Sequence, residues 1–167
     1  MKKAFKTNIL ALTALLAAVF AAGPAWAQSL PSSRFCTDLL VRGTYGFTIE
    51  GAKLAGPPGT PVGLQEGVAM TEFDGHGGLS QIDAVTVNGI LVSDFTHPVA
   101  TGAYHVNSDC TGTFTLNFTD GRPPVNTSLV VVEAGLEIDT VVTSVGPPGA
   151  EQQGVIATRS VGKRRGF

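Results

Sequence analysis

Thr113-Phe114-Thr115-Leu116-Asn117-Phe118-Thr119 alternates without a slip. Phe114, Leu116 and Phe118 leave one side of an extended chain; the threonines and Asn117 leave the other. A period of two is the mark of a half-buried β-strand, because successive side chains point to opposite faces. The same grammar extends in both directions. Downstream, Asp120-Gly121-Arg122-Pro123-Pro124 turns the chain into a strand over 127–133, and Ala134-Gly135 turns it again into 137–144. Gly146-Pro147-Pro148-Gly149 then leads to a last strand over 155–161. Upstream lies a strand over 101–106. Before it, Asn88-Gly89 joins strands over 79–87 and 90–96. That dipeptide is the strongest short hairpin signal, since a type I′ turn needs positive φ at both positions. Residues 64–74 form another long strand, closed by the turn Asp74-Gly75-His76-Gly77-Gly78. Residues 43–50 place Tyr45, Phe47 and Ile49 on one face. Gly56-Pro57-Pro58-Gly59 is a loop, because proline cannot join a central ladder. Residues 38–41 have room for one helical turn after a polar lead-in over 28–36.

Eight or nine strands joined by short turns favour antiparallel neighbours in a meander. Closure hides the edges of such a sheet, so the expected fold is all-β, a closed antiparallel barrel of about eight strands. A β-sandwich is the alternative, although the long crossing connections of Greek keys are not evident.

The chain has 167 residues. Residues 1–27 read as a Sec-type export signal: Lys2, Lys3 and Lys6 precede an apolar run, and Ala25-Trp26-Ala27 has the small-x-small cleavage pattern. The expected organisation is therefore a signal over 1–27, one barrel domain over 28–162 and a basic tail over 163–167. Cleavage removes three of the 11 Lys+Arg and none of the 13 Asp+Glu, leaving a net acidic chain. That argues against nucleic acid as a partner, which demands clustered positive charge. No later apolar run is long enough to cross a bilayer as a helix. An outer-membrane barrel is the competing class, but lipid-facing barrels carry two aromatic girdles. Beyond the signal there are only Tyr45, Tyr104 and seven Phe. The expected location is the periplasm or the medium.

Cys36 and Cys110 remain. In an oxidising compartment two thiols most simply pair. Such a bond closes a loop of roughly 75 residues, worth roughly 4 kcal/mol on the chain-entropy model. A redox-active pair would call for Cys-x-x-Cys spacing, which is lacking.

Cys36, Gly43-Thr44-Tyr45-Gly46-Phe47, Phe73-Asp74-Gly75-His76-Gly77 and the run Gly102-Ala103-Tyr104 through Asp109-Cys110-Thr111-Gly112-Thr113 occur in a distinctive order. In that order they resemble uncharacterised secreted bacterial proteins, similar in outline to the allene oxide cyclase-like barrels. The resemblance covers about residues 36–119. It implies a small closed antiparallel barrel and brings no catalytic motif with it.

The chemistry-bearing residues are few. His76, His97 and His105 lack the spacing of a local metal pair, so no metal and no cofactor is expected. Gly-x-Ser-x-Gly does not occur. Asp74-Gly75-His76-Gly77-Gly78 lacks the further oxygen ligands of a calcium loop. Three carboxylates share a face with apolar residues by period-2 counting: Glu72 with Val68 and Met70, Asp83 with Val85 and Val87, Glu133 with Leu129 and Val131. Pointing inward, they would be candidates for general acid–base work in the barrel. Arg159, counted with Val155, Ala157 and Val161, is the matching interior cation. Tyr45, Phe47, Phe114 and Phe118 are the candidate apolar lining of a ligand site. The leading expectation is a binding or structural module with a small apolar molecule as its partner. The alternative is a cyclase or isomerase using the interior acids. The discriminator is the interior, open to a cavity or filled by Phe47, Phe114, Leu116 and Phe118.

Overall fold

The computed structural model describes residues 35–96 and 100–166. The segment expected to be an export signal, the lead-in over 28–34, His97, Pro98 and Phe167 lie outside the described residues. A 3-10 turn, Asp38–Val41, comes first. The strands are β1 (Gly43–Lys53), β2 (Gly63–Phe73), β3 (Gly78–Val87), β4 (Ile90–Ser93), β5 (Ala100–Val106), β6 (Thr111–Phe118), β7 (Val125–Val132), β8 (Glu137–Val145) and β9 (Ile156–Arg164). A second 3-10 turn, Glu133–Gly135, separates β7 from β8.

Every pairing is antiparallel, and β9 returns to β1, with Phe47 opposite Gly162. The result is a closed eight-stranded barrel with one extra strand, as the turn pattern predicts. The sandwich alternative is displaced, since one continuous ladder runs round the whole circuit. The extra strand arises from a break. β4 pairs with Val85, Thr86 and Val87 of β3, while β5 pairs with Gly78 through Gln81 of the same strand. β4 and β5 thus lie end to end along β3 as one interrupted strand. The strand expected over 90–96 stops at Ser93, because the Asp94 carboxylate accepts the Thr96 N–H at 2.9 Å and turns the chain.

One end of the interior is aromatic. Phe73, 1 % exposed, sits edge-on to Tyr45, Tyr104 and Phe114, with centroids 5.5, 4.9 and 6.5 Å away. T-shaped packing of this kind places positive ring edges on negative faces. The 3-10 turn Asp38–Val41 plugs that end. The Tyr104 hydroxyl donates to the Asp38 carbonyl at 3.1 Å and accepts the Gly75 N–H at 2.8 Å. The Asp38 carboxylate accepts the Val106 N–H at 2.6 Å. Cys36 and Cys110 are joined, fastening the segment before the plug to the β5–β6 turn. At the same end the Tyr45 hydroxyl donates to the carbonyl of Gly135, which lies against Leu40 of the plug.

The turns hold as their residues require. Asn88 and Gly89 both have positive φ, at 49° and 75°. The Asn88 side chain also bonds the Val62 carbonyl and the Leu64 N–H, pinning the hairpin to the start of β2. The Asp74 carboxylate accepts the N–H groups of His76 and Gly78, which hold its pKa below the usual aspartate value.

The basic tail expected from Lys163 begins later. β9 runs to Arg164, whose partner across the ladder is Tyr45. Lys163 pairs with Glu137 at 3.3 Å, and the Arg164 guanidinium lies 5.8 Å from the Tyr45 ring centroid. These cross-strand partners draw both residues into the sheet.

Candidate functional site

The three acids do not meet. Asp83 faces inward and is 5 % exposed. Glu72 does share a face with Val68 and Met70, but that face is the outer one. Ala69, Thr71 and Phe73 are the buried residues of β2. Glu133 lies past the end of β7. Its φ of 49° and that of Ala134, 56°, break the alternation that would have sent it inward, and it is exposed. Arg159 also points outward. Its guanidinium meets Glu50 at 3.2 Å, with both side chains mostly in solvent. Tyr45, Phe47 and Phe114 are buried and belong to the core. Phe118 is half-buried, with the Arg122 guanidinium 4.2 Å from its ring centroid. Among the described residues no group of three His, Cys, Asp or Glu side chains converges as a metal site would need. His76 is exposed in the Asp74 turn, and His105 Nδ1 lies 3.6 Å from the Asp38 carboxylate.

Asp83 belongs to a buried polar chain. The Thr71 hydroxyl donates to Gln81 Oε1 at 2.8 Å, and Gln81 Nε2 donates to Asp83 Oδ2 at 3.2 Å. The Ser93 hydroxyl donates to Asp83 Oδ1. Register produces this chain: Thr71 faces Gln81 across β2 and β3, and Ser93 faces Val85 across β3 and β4. It lies where β3 changes partner from β4 to β5. Both carboxylate oxygens therefore have donors, which is what makes a buried acid tolerable. The arrangement stitches the break in the wall. Thr71, Gln81 and Ser93 escape a search for catalytic motifs. The only signal for two of them is that Gln81 shares Asp83's parity and that Thr71 falls opposite it once the Asp74 turn sets the register.

Two open concavities lie on the outer face. An open trough of about 950 Å³ crosses the outer faces of β1, β2 and β3 and reaches Leu91 of β4, Val141 of β8 and Arg159 of β9. Leu64, Val68, Leu91 and Val141 are 69, 48, 60 and 49 % exposed around it. Gly51 and Gly67 also border it. One line of cross-strand neighbours runs along it: Val141, Arg159, Glu50, Glu66, Thr86, Leu91. The line is apolar at both ends and charged at the centre. A second concavity of about 530 Å³ lies further along the same face, by Met70, Glu72 and Ile82. Arg165 Nη1 approaches the Met70 sulfur there to 3.3 Å.

Comparison with known protein families, curated proteins and solved structures returns no match.

Proposed function

We propose that this chain is an exported, disulfide-locked barrel that serves as a binding module, and that its ligand is a small apolar molecule held in the outer trough. The observation that carries this reading is the division of apolar surface. The aromatic rings of the interior are packed against one another. Leu64, Val68, Leu91 and Val141, by contrast, stand exposed around a single trough of about 950 Å³. Exposed apolar side chains gathered round one concavity are the usual mark of an interaction site. The Cys36–Cys110 bond supports export, since such bonds persist in oxidising compartments. The cyclase or isomerase reading retains one interior acid, Asp83, and both its oxygens are engaged by Ser93 and Gln81.

The test is a titration with the neutral apolar fluorophore N-phenyl-1-naphthylamine. The wild-type protein should raise its fluorescence saturably. The double variant Leu64→Ser/Leu91→Ser should bind it at least tenfold more weakly, about 1.4 kcal/mol, less than full burial of one leucine contributes. Both side chains are exposed, so the fold should survive the change. Equal binding by wild type and variant would place the ligand elsewhere.

A further inference from the structure

Glu50 and Glu66 stand directly opposite each other on neighbouring strands, both on the outer face and both bordering the trough. Like charges in that position repel. Arg159 lies on the other side of Glu50 and meets its carboxylate at 3.2 Å. The guanidinium of this line is thus taken up by Glu50. Among the described residues Glu66 has no ion-pair partner. Its remaining neighbours along the line and along its own strand are Thr86, Leu64 and Val68, none of them charged. The trough is therefore apolar at both ends and short of one positive charge at its centre. The second concavity repeats the acid on the same face with Glu72, but there Arg165 is at hand.

We propose that the trough takes a cationic amphiphile, an apolar body along Leu64, Val68 and Leu91 with one positive group against Glu66. This rests on the binding-module reading above and adds the ligand's charge. A second copy of the chain fits less well. A two-fold axis through the middle of the line would set Glu50 of one copy against Glu66 of the other, acid against acid. Pairing across this partly exposed surface favours the cation modestly, since water and salt screen the attraction.

The experiment uses the naphthylamine-loaded protein at low salt. The dye is displaced by decyltrimethylammonium, decyl sulfate or decyl maltoside, each below its micelle-forming concentration. The cation should displace at a concentration about three- to fivefold lower than the neutral surfactant, and the anion should be the weakest. Glu66→Gln should bring cation and neutral surfactant together without weakening the neutral one, and 0.5 M salt, where the Debye length is about 4 Å, should do the same. Equal displacement by all three in the wild type would overturn the charge assignment and leave the apolar trough standing. A cation preference that survives Glu66→Gln would overturn the role of Glu66. Dye binding that is unaffected by Leu64→Ser/Leu91→Ser would overturn the trough itself. Sedimentation decides the remaining occupant: a wild-type dimer that becomes monomeric in the double variant would show that a second copy fills the site.

Discussion

Replacing Cys36 and Cys110 together with serine is expected to cost the fold about 4 kcal/mol. The bond joins residues 74 positions apart, so its loss frees a long loop in the unfolded chain. The native side of the balance suffers as well. Cys36 is 4 % exposed and leads directly into the turn that plugs the aromatic end. Without the bond, that plug is held by Asp38 and Tyr104 through the hydrogen bonds to Val106, Gly75 and the Asp38 carbonyl. Urea unfolding of the double variant beside the oxidised wild type measures the difference. A loss below about 1 kcal/mol would mean that those hydrogen bonds hold the plug unaided and that the bond closes little entropy.

Phe73→Ala should be comparably severe, about 3–5 kcal/mol. The ring is 1 % exposed and is the common neighbour of Tyr45, Tyr104 and Phe114. Its removal deletes three edge-to-face contacts and opens a hole between strands that a closed ladder cannot bring together. Phe73→Leu, which keeps much of the volume, should cost clearly less. Thermal or urea unfolding of both variants is the check. A Phe73→Ala loss under about 1 kcal/mol would place this ring outside the core.

The ladder was legible because turns and alternation agreed. Asn88-Gly89 and the run from Thr113 to Thr119 each carry their own register, and the short connections left closure as the way to hide the edges. Strand-by-strand counting fails at the choice of face on β2 and β9. Val68 and Met70 look like core residues and lie outside; Ala69 and Gly162 look dispensable and lie inside. The cause is β1, the strand between them. Phe47 stands opposite Ala69 on one side and Gly162 on the other. A Cβ on Gly162 would collide with the Phe47 ring. Large side chains on one strand thus require small ones on both neighbours, so hydrophobicity counted strand by strand points the wrong way. That count places Glu72 and Arg159 in the interior, whereas both lie outside. Glu133 failed for a local reason, since the chain leaves the strand one residue before it. The break between β4 and β5 had no local signal strong enough to mark it. Residues 90–96 keep their β propensity, and only the Asp94 turn and the change of partner along β3 end the strand.

On the proposed reading the barrel binds on its outside and is packed within. Methyl NMR during the naphthylamine titration distinguishes the two faces. Leu64, Val68, Leu91 and Val141 methyls should shift and saturate together, while those of Val106, Leu116, Leu129 and Ile138, all buried, stay in place. Shifts confined to Leu116, Leu129 and Ile138, with the outer four silent, would contradict it.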